Sequence, residues 1–245
     1  MTQETAQQKV DPKGHVASER GKRLRKARKI VGLLGMDLAG KRVLDLGTGA
    51  GVIAEYLTSQ GADVVAADRD ITEFRASGIK PVKLDTLALP FEDEAFDAIV
   101  FNHVIEHVGD RPEQAVMLDE IHRCLRPGGK LYLAVPNKWA LVEPHYKLPL
   151  LGALPRPVAD AMVRASGRHP HYDCYPFAHG ELQRLLKAKF DTVIERTGDA
   201  YFWVAENEIG GAAGKVLSSV PKGLVRALSG AMPTLIFVNT KAAQA

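Results

Sequence analysis

The feature that most constrains this chain is the segment Val43-Leu44-Asp45-Leu46-Gly47-Thr48-Gly49-Ala50-Gly51. A short apolar strand, Arg42 to Leu46, runs into glycines at alternate positions and then into a helical stretch, Val52 to Ser59. Glycines accept the backbone such a turn needs and leave its N–H groups open to a ligand. The same rhythm continues along the chain. Asp63 to Ala67 reads as a second strand and Lys80 to Leu84 as a weaker third. Phe96 to Phe101 is almost continuously apolar, as a buried parallel strand should be. Pro112 can open a helix, and Ala115, Met117, Leu118, Ile121 and Leu125 give Glu113 to Leu125 helical periodicity. Pro127-Gly128-Gly129 ends that helix, and Leu131 to Val135 is strand five. After a predicted helix at Gly180 to Ala188 come strands at Thr192 to Arg196 and Leu235 to Val238. Strands alternating with helices predict an α/β fold, a mostly parallel sheet doubly wound by helices.

Two stretches break the rhythm. Residues 137–178 hold several prolines, aromatics and histidines, and read as an inserted lid segment. Residues 199–233 form a long, mostly apolar and basic connection between the last two strands. The expected organisation is a disordered lead-in, 1–14, and one domain over 15–245. A length of 245 residues with 46% hydrophobic and 25% charged residues argues against a wholly disordered, collagenous or coiled-coil chain. Two cysteines, Cys124 and Cys174, make no disulfide framework and suit a reducing compartment. With neither a secretory signal nor a spanning run in view, the expected location is cytoplasmic, with peripheral membrane contact left open.

The charge is unevenly placed. Residues 1–30 carry +6, residues 209–245 carry +4, and the span between them carries −7. Arg20 to Lys29 has seven basic residues in ten beside a stripe of Leu24, Val31 and Leu34. Val216, Leu217, Val220, Leu224, Val225 and Leu228 accompany Lys215, Lys222 and Arg226 near the other end. Basic apolar segments of this kind suit an anionic membrane surface, and equally suit packing on the core. An acidic middle makes nucleic acid an unlikely partner; the oligomeric state is left open.

The Rossmann dinucleotide fingerprint needs G-x-G-x-x-G, but the position its third glycine would take is Val52. Asp45, two residues before Gly47, is poor for a pyrophosphate and suits a ligand with an ammonium group. Asp68 ends strand two, 17 residues after Gly51, where a carboxylate can accept ribose hydroxyl protons or cap a turn. Asp85 lies 17 residues further on and can accept from an adenine amine or cap a helix. All three acids fall at the carboxyl ends of predicted strands, where open α/β sheets bind ligands.

Three blocks, Arg42–Leu57 (RVLDLGTGAGVIAEYL), Asp85–Val108 (DTLALPFEDEAFDAIVFNHVIEHV) and Leu125–Asn137 (LRPGGKLYLAVPN), resemble the class I S-adenosylmethionine-dependent methyltransferases, in a branch like those of quinone and lipid biosynthesis. The resemblance implies a Rossmann-like sheet of seven strands with the last antiparallel. It implies S-adenosyl-L-methionine as cofactor. It places Asp45, Gly47, Thr48, Gly49 and Gly51 around the donor's methionine part, Asp68 and Arg69 at its ribose, and Asp85 and Thr86 near its adenine. Asn102 and His103 would begin the loop beside the donor's methyl group. His103 is then the candidate catalytic residue, a general base if the acceptor is a hydroxyl, or else an ordinary loop histidine.

His103-Val-Ile-Glu106-His107 also spells H-x-x-E-H, a zinc-peptidase motif with Glu181 as a further ligand, but that motif requires a helix and here the segment follows a strand. Some related quinone O-methyltransferases place a divalent metal on acidic residues here. His169, His171, Cys174 and His179 resemble a ligand cluster whose spacing fits no common zinc module. Methyl transfer from a sulfonium needs no Lewis acid, so no metal ligands are assigned, and activity is expected to survive chelation. Trp139, His145, Tyr146, Tyr172 and Tyr175 are candidates to line an aromatic acceptor pocket, or simply to pack the insert. The expected function is methyl transfer to a small, lipophilic acceptor. The alternatives are a non-catalytic donor-binding or lipid-interaction protein and, less favoured, a nucleic-acid methyltransferase.

Overall fold

The computed structural model describes residues 19–243; the expected lead-in, 1–14, lies outside them. The strands are β1 (Arg42–Leu46), β2 (Asp63–Asp68), β3 (Val82–Lys83), β4 (Phe96–Asn102), β5 (Leu125–Pro136), β6 (Thr192–Glu195) and β7 (Thr234–Thr240). They form one seven-stranded sheet in the order β3-β2-β1-β4-β5-β7-β6. Strands β1 to β5 pair in parallel, and β7 runs antiparallel to both β5 and β6. This is the expected architecture, including the antiparallel last strand. The order reverses direction at β1 and β4, so a crevice opens at their carboxyl ends, where the glycine turn begins.

Alternation along each strand fills two cores. Leu44, Leu46, Ile99, Phe101, Leu131 and Leu133 point to one face and pack with Met117, Leu118 and Ile121 of helix α3 (Arg111–Cys124). Val43, Ala98, Val100, Tyr132 and Ala134 point to the other and pack with Ile30 and Leu34 of helix α1 (Glu19–Leu34). Both faces are therefore covered, which is why the central strands read as unbroken apolar runs. Helix α3 starts where Pro112 predicts. Asp110 accepts from the Glu113 N–H while the Glu113 carboxylate accepts from the Asp110 N–H, closing a capping box.

One local expectation changes. Strand β5 starts at Leu125, not Leu131. Pro127-Gly128-Gly129 is an irregularity in pairing rather than a stop, since Phe96 pairs with Leu125 but Ala98 pairs with Lys130. No helix forms between β2 and β4. The α1 stripe packs against the sheet through Ala27, Ile30, Leu33 and Leu34, and Arg20 pairs with Glu55 of helix α2 (Val52–Ser59) at 2.6 Å. Its apolar side is thus not free to enter a bilayer.

The 137–178 insert carries helix α4 (Arg156–Ala165) and a small core of its own, with Tyr146, Leu151, Ala159, Val163, Tyr172 and Cys174. Helix α5 (His179–Lys187) leads into β6. Helices α6 (Thr197–Val204), α7 (Gly211–Ser218) and α8 (Lys222–Ala227) occupy the long connection between β6 and β7.

Candidate active site

The glycine turn is built from the end of β1. Gly47, Gly49 and Gly51 have φ of 78°, 52° and 82°, the left-handed region that β-carbons disfavour. A Cβ on Gly47 would overlap the Val104 side chain, and one on Gly51 would lie 2.7 Å from Phe74 and Ala76. Asp45 lies beneath the turn, 2% exposed, and accepts a 2.7 Å bond from the Thr48 hydroxyl. Burial pushes its carboxyl up to about 6, against the pull of Thr48 and an Ala54 backbone bond. Asp68 closes the turn from β2: its Oδ2 accepts the Gly49 N–H at 2.8 Å and its Oδ1 the Asp70 N–H at 3.1 Å.

Beside the turn is a cavity of about 470 Å³, walled by Gly47, Asp68, Arg69, Asp85, Thr86 and Val104 among others. Acids from β2 and the loop after β3 therefore come together with the turn, as the spacing of the acids predicts. Asp45, Thr48, Gly49 and Gly51 shape the turn and do not line this cavity. A second cavity, about 940 Å³, lies across the ends of β4, β5 and β7. Tyr132, Ala134, Ala200, Val204, Leu217 and Ile236 give it an apolar wall, and Lys26, Lys29 and Lys147 add charge. Asn102 lines this larger cavity rather than the smaller one.

Among the described residues, His103 alone lines both cavities. It sits at the end of β4 with a left-handed backbone, φ 57°, held by its N–H donating to Ala134 at 2.8 Å. Burial lowers its imidazole pKa, although the neighbouring Glu106 pulls the other way. The neutral ring is therefore the resident form at neutral pH. Glu106, in the single turn Ile105–His107, is wholly buried beside it. His107 lies 3.4 Å from Asp173. Burial works against the charged His107 ring, but the hydrogen bond to Asp173 and nearby carboxylates raise its pKa overall. That same bond holds the Asp173 carboxyl well below the usual range.

The aromatic acceptor pocket does not assemble as expected. Tyr146 and Tyr172 pack edge-to-face in the insert's own core, and Trp139 is 57% exposed. Only His145 of that group lines the larger cavity. Of the sequence's candidate metal ligands, Glu181 is paired with Arg111, His179 with Glu195, and His169 and His171 are exposed, whereas His103 and Glu106, and His107 and Cys174, each gather around His145. Lys26, Lys29 and Lys147, by contrast, belong to the larger cavity; a charge run on a helix gives no sign of which of its residues turn inward.

Residues 44–133 match the family model described as a methyltransferase domain. The solved structure of an S-adenosylmethionine-dependent methyltransferase from Archaeoglobus fulgidus aligns with a TM-score of 0.58, covering 91% of this chain and 95% of that one at 16% identity. Fold and matched domain point the same way: residues 44–133 match a methyltransferase domain, and the sheet is that of the solved methyltransferase structure. The chain's curated relatives are more particular. A demethylmenaquinone methyltransferase of Mycobacterium sp. (strain KMS) is 35% identical over 144 residues, 56% of this chain and 58% of that protein. A ubiquinone biosynthesis O-methyltransferase of Xanthomonas oryzae pv. oryzae (strain PXO99A) is 35% identical over 113 residues, 42% of this chain and 46% of that protein. The chain thus spans about half the length of the curated relatives it matches. The smaller cavity is a cradle kept clear by Gly47, with the carboxylates of Asp68 and Asp85 on its wall.

Proposed function

We propose that the protein transfers a methyl group from S-adenosylmethionine to an oxygen of a small, lipophilic, hydroxylated acceptor of the quinol or phenol kind. One observation carries this reading: the two cavities meet at His103. The smaller takes the donor, and the larger has the apolar wall and the ionic end that an amphipathic ring compound needs. The donor supplies an electrophilic methyl on a sulfonium. Asp68 and Asp85 accept from the donor's hydroxyl and amine groups, and Arg69 and Thr86 complete that end. Asp45 and Thr48 fix the turn, and the Asp45 carboxylate faces the donor's ammonium through it. Asn102 and His103 border the transfer point. A neutral imidazole there can accept the acceptor's hydroxyl proton. The chief contribution is alignment of the two reactants, whose effective molarity can reach ~10⁵–10⁸ M.

We also propose that the acceptor enters from a membrane surface. Ile209 and Leu228 line the larger cavity and are 50% and 54% exposed, and Val216 and Leu224 on the neighbouring helices are exposed as well. Lys215, Lys222 and Arg226 neighbour these residues along the chain, and residues 209–245 carry no acid. Among the described residues no helix is long and apolar enough to cross a membrane. A peripheral contact at this rim would deliver a lipophilic acceptor directly to the cavity. The test is incubation of labelled donor with the protein and a bacterial lipid extract. Label should appear in an organic-soluble ring compound and be lost with Asp68→Ala. Donor binding without any labelled product would make the protein a donor-binding module instead.

A further inference from the structure

Among the described residues, the wall of the larger cavity holds three lysines and no acid. Lys26 and Lys29 come from α1, and Lys147 comes from the insert. Ala27 and Ile30, each next to one of the first two, are buried against the sheet. Residues three apart share a helix flank, so Lys26 and Lys29 turn into the cavity together. Both are half-buried. Among the described residues none of the three ammonium groups has a hydrogen bond or an ion pair. Half-buried cations elsewhere in the molecule are matched: Arg111 with Glu181, Arg123 with Glu120, Lys189 with Asp119 and Lys241 with Glu94.

Leaving these lysines unmatched has a cost. Burial lowers the Lys26 pKa, repulsion from Lys29, Arg23 and Lys147 lowers it further, and Glu106 pulls the other way. Burial also lowers the Lys29 pKa, against the pull of Glu208. Neither glutamate lines the cavity, and Glu106 faces the His103 and His145 rings. Like charges repel more strongly in a partly desolvated site than in water. Lys147 adds to the repulsion from a strained position. Its backbone is left-handed, φ 53°, which a non-glycine residue seldom adopts, and its N–H donates to the Glu143 carbonyl at 2.9 Å. The insert therefore holds an unfavourable conformation at the residue that supplies the third charge. An anion bound among the three lysines relieves the repulsion, and the protein is stabilised by binding it.

We propose that Lys26, Lys29 and Lys147 form an anion subsite, and that the acceptor is a hydroxylated apolar ring bearing an acidic group, a carboxylate or a phosphate ester. The role of acceptor rests on the methyl transfer proposed above; the anion subsite does not. Lysine ammonium groups are point charges without the planar fork of arginine, so they take either kind of oxyanion. Lys26 is close enough to His103 to add to the effect of burial in lowering its imidazole pKa. The anion thus lies near the transfer point, with the acidic group on the same ring as the reacting hydroxyl. Tyr132, Ala134, Val204 and Ile236 supply apolar wall for that ring. A neutral phenol would leave the three charges unmatched, and an organic cation would be repelled.

The test is equilibrium binding to the full chain without donor. The probes are naphthoate, naphthyl phosphate, the neutral naphthamide and inorganic phosphate, none of which has a hydroxyl on a ring. At least one of the two apolar anions should bind roughly tenfold or more tighter than the amide, and should raise the Tm. The tighter of the two identifies the acidic group. Lys26→Gln and Lys29→Gln should each lose part of this preference, and the double variant should lose it while still binding naphthamide as wild type does. The Tm of the double variant should equal or exceed that of wild type, because a repelling pair has been removed, so lost binding is not lost folding. Lys80→Gln, which removes an exposed charge far along the chain, should keep the preference. Equal affinity for anions and amide, or a preference intact in the double variant, would overturn the proposal. Inorganic phosphate bound as tightly as naphthyl phosphate would make this a bare phosphate site and overturn the assignment of an apolar acid. Anion preference without methyl transfer to any ring acid would leave the subsite standing and remove the methyl-transfer reading. Methyl transfer to neutral phenols with no anion preference would do the reverse.

Discussion

Asp45→Asn should make the protein more stable at neutral pH, and the gain should vanish in acid. Asp45 is buried, and its carboxyl sits at about 6 rather than 3.8. Between those values the folded state holds a proton that the unfolded state has released. Stability is therefore highest below the window, falls as pH rises through it, and levels off above about 6. Two pK units at ~1.36 kcal/mol each give a penalty of about 3 kcal/mol once the carboxylate is charged. Asparagine keeps an oxygen for the Thr48 hydroxyl and carries no charge. Urea unfolding at pH 7.5 should show Asp45→Asn more stable by roughly 1–3 kcal/mol, and at pH 4 the two proteins should coincide. A variant less stable than wild type at pH 7.5, or a gap that persists at pH 4, would refute the reasoning. The same variant should bind donor more weakly, because the charge that costs stability is the one proposed above to face the donor's ammonium. Keeping a destabilising carboxylate for function is a familiar trade.

Other outcomes follow from the same geometry. Gly47→Ala should abolish donor binding and lower stability by more than the ~1–2 kcal/mol of a left-handed β-carbon, because Val104 must also move; Gly49→Ala, whose Cβ would meet only Arg23 at 3.7 Å, should show the backbone cost alone. Thermal melts and calorimetry on both variants separate the two effects, and equal losses would contradict the Val104 clash. Asp68→Ala should weaken donor affinity by about 1.5–3 kcal/mol, part of it through the lost Gly49 bond; affinity within twofold of wild type would remove Asp68 from the site. The protein should sediment with anionic vesicles at low salt, and replacing Lys215, Lys222 and Arg226 by Gln should reverse this, at about 1 kcal/mol per charge. Sedimentation unchanged by those replacements would move the contact elsewhere.

What the sequence makes legible here is what is local or periodic. Gly47, Gly49 and Gly51 announce a turn within five residues, and the acids that follow mark strand ends at equal spacing. Strands β1, β4 and β7 are visible because both faces are apolar. The start of β5 was missed because Pro127-Gly128-Gly129 has the composition of a stop, and only pairing with β4 carries the strand past it. The site's second half was less legible. Glu106 and His103 lie three residues apart, but His145 and Glu143 come from the insert, and no local pattern joins them to β4. Tyr146 and Tyr172 looked like pocket residues, yet the insert needs its own core and uses them there. Lys26 and Lys29 turn toward the cavity only because Ala27 and Ile30, beside them on α1, face the sheet.

The measurement that bears most directly on the account is a crystal structure with S-adenosylhomocysteine. Adenosine is expected in the smaller cavity between Asp68 and Asp85, and the sulfur at the His103 rim pointing into the larger cavity. Adenosine outside that cavity, or a sulfur sealed from the larger one, would contradict it.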